Sequence, residues 1–288
     1  MIDEEFNTEI LTTSKQRTII FFVDILDGYS FRQLFDFCKS SVTATPFYIT
    51  KKSINIKRGN SLNKLILDIV LYGDLFLKYY VNEELFNTKD ENLHIITPNL
   101  NDFYQQIKNI PKQGSIKLYQ CAETPKTLYL QIYGGTKSNN GGYISIKIDD
   151  YIHKEYNFDD KIYNNPPTAK TSLSSFCSAC DTSIKYRANF ATFKCYSDLV
   201  IYNVNSESNI DCGKIPWYSD NYNPLINYQE TEFFSISITN SILKTLSKLV
   251  NINNKGIIKI YCRCQNIMKI ILNIGLMGKL TIYIIDDK

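Results

Sequence analysis

The stretch "LNDFYQQIKNI", residues 100–110, decides which fold the sequence predicts. Its apolar residues Leu100, Phe103, Tyr104 and Ile107 fall at positions i, i+3, i+4 and i+7, which is one face of an α-helix. Asparagine, glutamine and lysine occupy the opposite face. The neighbouring segments alternate like β-strands, so the pattern predicts a short amphipathic helix inserted between strands.

The same helical spacing recurs three more times along the chain. It starts again at Phe31, at Leu173 and, with threonine in the first position, at Thr239. The two starts in the N-terminal half are 69 residues apart, and the two in the C-terminal half are 66 apart. This self-similarity predicts an internal duplication with two short helices in each half. The four helical windows are 29–40, 98–112, 171–187 and 237–250.

Strand-like segments, rich in β-branched and aromatic residues, fill the intervals between the helices. Two helices in each half cannot separate so many strands into parallel units. The sequence therefore predicts mostly antiparallel sheets with the helices packed on one side, an α+β fold. Residues 149–167 are polar, rich in tyrosine and end in two prolines, which indicates an extended connector. The predicted divisions are an N-terminal extension (1–17), a first domain (18–148), the connector and a second domain (168–288).

The overall composition excludes several classes of protein. The chain has 288 residues, of which 44% are hydrophobic, and a formal net charge of +3. The acidic N-terminus lacks the apolar core of a secretory signal, and no run of about 18 apolar residues could span a membrane. Eight cysteines in a chain of this length are expected to be reduced core thiols. We expect a soluble intracellular protein.

No motif specifies a catalytic or metal site. Cys177 and Cys180 occupy apolar positions of a helical window, while Cys262 and Cys264 are two apart on a strand. Zinc-binding pairs usually come from turns, so packing in the core is favoured over a four-thiolate zinc site. Neither of the two histidines has a partner that would make it a catalytic base. We predict no catalytic residue, no metal and no cofactor.

Positive charge is concentrated in the helical windows. They contain eight basic and three acidic residues, whereas the rest of the chain contains 24 basic and 26 acidic residues. Two interpretations remain open at this point. The lysines and arginines could be the solvated faces of ordinary amphipathic helices. They could instead form a surface that binds a polyanion through its phosphates, without reading sequence.

The order of strands and helices, duplicated along the chain, resembles the DNA sliding clamps of the proliferating-cell-nuclear-antigen (PCNA) family over about residues 18–288. Three segments carry the resemblance: "VDILDGYSFRQLFDFCKS" (23–40), residues 96–134, and "GLMGKLTIYII" (275–285). The third helical window departs from the family because it has basic residues only at its end. Asp36 and Asp181 also lie on helices that should be positive.

The resemblance implies a ring whose helices line a central hole around duplex DNA. The DNA-facing positions would be Arg32, Gln33, Lys39, Gln105, Lys108, Lys112, Lys185, Arg187, Lys244 and Lys248. Subunits would join through the edge strands 127–133 and 199–204, with contacts from Leu128, Leu130, Ile132, Leu199 and Ile201. Partner proteins would insert short peptides into a groove under the connector, lined by Ile66, Tyr151, Ile152, Leu280, Ile284 and Ile285.

The function implied by the resemblance is that of a sliding clamp, or DNA polymerase processivity factor. Such a protein encircles duplex DNA, as a homotrimer in many members, and tethers replication or repair proteins without being an enzyme. A divergent viral member, working in the nucleus or at a cytoplasmic viral replication site, is expected. The alternative is a clamp-fold viral transcription factor or a subunit of a checkpoint-type heteromeric clamp. An unrecognised enzyme is a third possibility, and no group of acid, base and nucleophile supports it.

Overall fold

The computed structural model describes residues 17–42, 45–60, 62, 64–85, 94–134, 140–145, 166–205, 211–222, 232–253, 255–264 and 266–286. The first repeat contains β1 (Ile19–Ile25), α1 (Gly28–Ser41), β2 (Phe47–Ile49), β3 (Ser53–Gly59), β4 (Leu65–Tyr72), β5 (Lys78–Val81), β6 (His94–Ile96), α2 (Leu100–Ile107), β7 (Ser115–Cys121), β8 (Thr127–Tyr133) and β9 (Asn140–Ser145).

The second repeat contains β10 (Ala169–Ser172), α3 (Leu173–Lys185), β11 (Phe190–Cys195), β12 (Leu199–Asn205), β13 (Asp211–Tyr218), β14 (Phe234–Thr239), α4 (Asn240–Leu246), β15 (Ile257–Cys264), β16 (Ile267–Ile274) and β17 (Gly278–Ile285). A 3-10 helix, Ser247–Asn251, continues α4. Within the described ranges, no helix is both long enough and apolar enough to cross a lipid bilayer.

The strands form two sheets in which every described pairing is antiparallel. The smaller sheet has the order β5-β1-β7-β8-β9. The larger has the order β14-β11-β12-β13-β10-β15-β16-β17-β4-β3-β2-β6. The prediction of an antiparallel α+β fold is therefore confirmed.

The two repeats are joined by hydrogen bonds between strands. Strand β17 of the second repeat pairs with β4 of the first over seven residue pairs, from Gly278 opposite Leu71 to Ile284 opposite Leu65. The sheet consequently runs without interruption from one repeat to the other. Residues 1–16 of the predicted extension and 149–165 of the predicted connector lie outside the described residues, and the predicted domain limits stay predictions.

The four helices form one layer. Helix α1 contacts α2, α3 contacts α4, and α1 also contacts α4 and the 3-10 helix that follows it. The spatial order α2-α1-α4-α3 therefore places helices of both repeats side by side. Side chains cap three of them at the N-terminus: Asp27 accepts from the Ser30 N–H, Asn99 from those of Asn101 and Asp102, and Ser172 from that of Ser175.

The apolar faces of the helices pack against the sheets in one continuous core. Under α1 and α2, the rings of Phe35 and Phe103 lie 4.7 Å apart. Under α3, the ring of Phe176 lies 5.4 Å from that of Trp217. All four side chains belong to the same buried cluster, which spans both repeats. Burial of these faces, rather than intrinsic helix propensity, is what stabilises such short helices.

Candidate nucleic-acid interface

The outward face of α2 carries the polar residues that its spacing predicted. Leu100, Phe103 and Ile107 are buried, while Gln105 and Lys108 are exposed. The Lys108 ammonium donates a hydrogen bond to the Gln105 side-chain oxygen. The opposite side of this helix is thus committed to the core, and the groups that point away from it are amides, Lys108 and the Asp102 carboxylate in the first turn.

Six of the predicted DNA-facing cations are exposed and have no carboxylate partner among the residues that the structure describes. They are Lys108, Lys112, Lys185, Arg187, Lys244 and Lys248. Five of them lie in the last turn of their helix or within two residues of its end, where a positive charge also interacts favourably with the helix dipole, and Lys112 follows α2 by five residues. The helical layer therefore presents unneutralised positive charge contributed by α2, α3 and α4.

The two cations of α1 are placed differently, because both have partners inside the chain. The Arg32 guanidinium donates to the carbonyl oxygens of Lys108 and Ile110, at 3.1 and 2.8 Å, and lies 4.4 Å from the centre of the Tyr29 ring. These bonds satisfy carbonyls just beyond α2, which otherwise lack donors at a helix end. Arg32 thus links the first two helices.

Lys39 has two partners as well. Its ammonium lies 2.9 Å from the Asp36 carboxylate, one turn earlier in α1. It also lies 3.3 Å from the centre of the Tyr104 ring on α2, a cation–π arrangement. Burial, and then the charge of Asp36 and a hydrogen bond to it, raise the pKa of Tyr104, so that hydroxyl stays protonated. Gln33, in the same helix, is half-buried.

The α3 end of the layer is mostly neutral. Its exposed side chains are Ser174, Ser175, Ser178 and Asp181, and the basic residues follow only at Lys185 and beyond. Hydroxyl groups can hydrogen-bond phosphate without neutralising it. The departure noted in the sequence is therefore a real feature of the surface, since α3 carries positive charge only at its C-terminal end.

The strands predicted as subunit edges are not edges. Strand β8 pairs with β7 on one side and β9 on the other, and β12 pairs with both β11 and β13. Leu128 and Leu130 are buried in the core, whereas Ile132, Leu199 and Ile201 are half-buried. Because strands hydrogen-bonded on both sides cannot add another strand, this part of the prediction is corrected.

The internal duplication identifies different strands as candidates. In chain order β13 is the third strand after α3, as β4 is after α1, and β9 ends the first repeat as β17 ends the second. Strand β9 lies at the end of its sheet. Strand β13 makes seven residue pairs with β12 and one with β10, Tyr218 opposite Lys170. The pair β9 and β13 is thus equivalent to the pair β17 and β4, which joins the repeats within the chain.

The residues predicted for the partner groove are divided between two faces of one sheet. Leu280 and Ile284 point into the main core. Ile66 and Ile285 lie on the opposite face, where they pack with Tyr283. Tyr261, Ile267 and Ile271 complete this second cluster.

Alternation along β17 explains the division, because neighbouring residues of a strand face opposite sides. A groove on this face cannot include Leu280 or Ile284, and the prediction is corrected for them. Counting every second residue back from Ile285 along the strand would have identified Tyr283 as a residue of this face. Tyr151 and Ile152 lie outside the described residues.

The six cysteines whose side chains the structure describes pack as core residues. Cys177, Cys180 and Cys262 are buried. Burial raises the pKa of the Cys177 thiol to about 12, which disfavours the thiolate that a metal needs. Within the described part of the chain, no group of three or more His, Cys, Asp or Glu side chains could hold a metal ion.

Comparison with known proteins rests on structure alone, since no known family and no curated protein matches the chain by sequence. The PCNA2–PCNA3 complex from Sulfolobus tokodaii aligns over 92% of this chain and 98% of that chain, with a TM-score of 0.68 and 16% identity. Proliferating cellular nuclear antigen from Entamoeba histolytica aligns over 93% and 99%, with a TM-score of 0.71 and 10% identity. The duplicated sheets and the helical layer are therefore the PCNA-like sliding-clamp fold.

Proposed function

We propose that this chain is a sliding clamp that encircles duplex DNA as a ring and tethers replication or repair proteins to it. The observation that carries the proposal is the single helical layer with six exposed cations, none of which has a carboxylate partner in the described part of the chain. Such a surface would neutralise phosphates and release counterions irrespective of base sequence. The glutamine and serine side chains beside the cations would contact phosphates without gripping them, which suits movement along the duplex.

Ring closure would use β9 of one copy and β13 of the next, since β13 pairs with β10 only at Tyr218 among the described residues. The support is the equivalence of these strands to β17 and β4, whose seven residue pairs already join two repeats edge to edge. Three copies of the 33.3 kDa chain would give a closed ring of about 100 kDa. Adding a strand to a sheet edge is a common mode of association between proteins.

Tethering of partners would be topological. A ring that stays on the DNA raises the local concentration of any protein bound to it. Ile66, Tyr283 and Ile285 form the apolar cluster on the outer sheet face that would receive a short partner peptide. We place the protein where a viral or cellular genome is copied, in the nucleus or at a cytoplasmic replication site. No step of this function requires a catalytic residue.

Charge reversal in the helical layer tests DNA binding. Lys108→Glu combined with Lys244→Glu should weaken binding to a duplex of random sequence and flatten its dependence on salt, while the far-ultraviolet circular dichroism spectrum stays unchanged. Lys126→Glu, in the exposed turn between β7 and β8, reverses one charge away from the helices and should weaken binding less than either single reversal, Lys108→Glu or Lys244→Glu. Equal affinity for wild-type and doubly reversed protein would rule out a helical DNA surface.

A second candidate function is that of a subunit in a heteromeric clamp. The neutral face of α3 favours it, because one chain of a mixed ring could leave most phosphate contacts to its partners. The molecular mass of the protein in solution distinguishes the homomeric ring from the heteromeric clamp. A trimer, alone or with duplex DNA, supports the homomeric ring, and a monomer under both conditions supports the heteromeric alternative.

A further inference from the structure

Helix α1 lies in the middle of the helical layer, yet both of its cations are held by other groups of the chain: Arg32 by carbonyls after α2, and Lys39 by Asp36. We propose that Asp36 withdraws Lys39 from the DNA-facing surface and so limits how tightly the clamp holds DNA. This inference rests on the proposed function. Asp36 is a positioning residue in it, since it would act on DNA through Lys39.

The geometry holds Lys39 from two sides. The ammonium is 2.9 Å from the Asp36 carboxylate and 3.3 Å from the centre of the Tyr104 ring. The two charged side chains are 28% and 29% exposed, so solvent and phosphate can both reach them. The other charged group near this site is Arg32, whose guanidinium bonds to carbonyls after α2. No second carboxylate contacts Lys39 within the described residues.

Lys108 and Lys244 differ from Lys39 in having no ion-pair partner among the described residues. Both are exposed, and the part of the chain that the structure describes gives neither of them a carboxylate. A lysine without a carboxylate partner attracts a phosphate and releases a counterion on binding. A lysine paired with a carboxylate carries no net charge into the complex, and the acid that remains repels the incoming phosphate. The Asp36–Lys39 pair therefore subtracts one counterion-releasing contact from each subunit.

A weak grip is useful to a protein that must move along DNA. Each additional phosphate contact steepens the salt dependence by about 0.9 in the slope of log K against log salt. With α1 at the centre of the layer, a mobile lysine there would meet DNA in every subunit of the ring. Tyr104 contributes by placing a ring beneath the ammonium, which keeps Lys39 next to Asp36 rather than extended.

The test compares two substitutions that change the helical charge equally. Asp36→Asn should steepen the salt slope for a random duplex by about 0.9 per subunit in contact with DNA and raise affinity at low salt. Asp181→Asn, on the exposed face of α3, removes a carboxylate that has no ion-pair partner among the described residues. It should leave the slope unchanged. Melting temperatures of both variants report whether the fold is retained.

A double-mutant cycle assigns the effect to Lys39. Lys39→Gln alone should leave the slope at its wild-type value, because Lys39 makes no phosphate contact in the wild type, although the unpaired Asp36 carboxylate should lower the affinity itself. In the Asp36→Asn background the same substitution should return the steeper slope to the wild-type value. Equal slopes for Asp36→Asn and Asp181→Asn, or a flatter slope for Lys39→Gln alone, would overturn the inference. Wild-type protein without salt-dependent DNA binding would instead overturn the proposed function.

Discussion

Arg187 adopts a left-handed backbone conformation, with φ of 53°, immediately after α3. This position ends the helix, since the Ala188 N–H reaches back to the Ser183 carbonyl at 3.0 Å. Glycine is usual there, and a residue with a side chain costs about 1 kcal/mol. The sequence keeps an arginine where the backbone prefers glycine. Strain of this kind is often retained at functional positions.

Arg187→Gly should therefore increase the free energy of unfolding by about 1 kcal/mol while weakening DNA binding. The salt slope should flatten by about 0.9, the value of one phosphate contact. Denaturant titration gives the first quantity and binding isotherms at several salt concentrations give the second. Arg187→Lys keeps the charge and the strain, so it should change neither. A loss of stability in the glycine variant would contradict the strain argument.

Cys38 gives the protein a pH dependence on the alkaline side. Burial raises the pKa of its thiol from about 9 to about 12. Between these two pKa values the folded state keeps the thiol proton and the unfolded state releases it. The stability that the protonated Cys38 thiol contributes is therefore complete below pH 9 and is lost as the pH rises from 9 towards 12. Between pH 8 and pH 10 this thiol should lower the free energy of unfolding by about 1 kcal/mol.

Cys38→Ala should lose less stability than the wild type over that interval, as measured by denaturant titration at both pH values. The comparison between the two proteins isolates this thiol, because the other buried groups titrate in both. Identical losses would show that the thiolate of Cys38 is not excluded from the folded core.

The partners of Lys39 could be predicted only in part from the sequence. Asp36 lies three residues before Lys39 in the same helical window, at a spacing that favours an ion pair, whereas Lys108 has Gln105 at that spacing. Tyr104 lies 65 residues beyond Lys39 and contacts it only because α1 packs against α2. Side-chain partners depend on helix packing, which periodicity alone does not specify.

At the scale of elements, helices were easier to predict than strand neighbours. The window 29–40 lies within α1, and the period of 3.6 residues is set by burial of one face. Strand β13 was missed because Gly213 and Pro216 are unusual inside a strand. Proline is tolerated at position 216 because β13 forms few ladder hydrogen bonds with β10. The one described pair between these two strands is at Tyr218. The resemblance assigned the subunit edge to β12 by its position in the order of strands, and the structure places β13 beside it.

Proline substitutions in β9 test the proposed ring contact. Along an antiparallel strand, successive N–H groups point alternately to the two neighbours. One of the adjacent residues Tyr143 and Ile144 therefore donates towards β8 and the other points away from it. Proline removes the donor in each case. The variant that loses the outward N–H should remain folded and become monomeric by light scattering, whereas the other should be destabilised by loss of the β8–β9 pairing.

The control for this pair is proline at Lys126, which lies in an exposed turn and should leave the mass unchanged. If both β9 variants keep the oligomeric mass and the fold of the wild type, β9 is not at the subunit contact.

At the scale of the whole molecule, the two repeats share one core and one sheet. The buried cluster includes Phe103 under α2 and Trp217 in β13, and β17 pairs with β4 across the junction. The sequence shows the duplication but not this continuity, since pairing between β4 and β17 joins segments about 210 residues apart. Because the core is shared, a substitution that destabilises one repeat should also destabilise the other.

Trp217 is the sole tryptophan and reports on the second repeat. Phe103→Ala removes a fully buried ring from the first repeat and should cost about 3–5 kcal/mol. If the repeats unfold together, the Trp217 fluorescence transition should shift to lower denaturant by the same amount as the far-ultraviolet circular dichroism transition. Phe233→Ala, at a ring that is 57% exposed, is the matched control and should shift neither. A Trp217 midpoint that stays in place while the dichroism splits into two steps would mean that the repeats are separate folding units, and that the β4–β17 pairing alone is too weak to couple them.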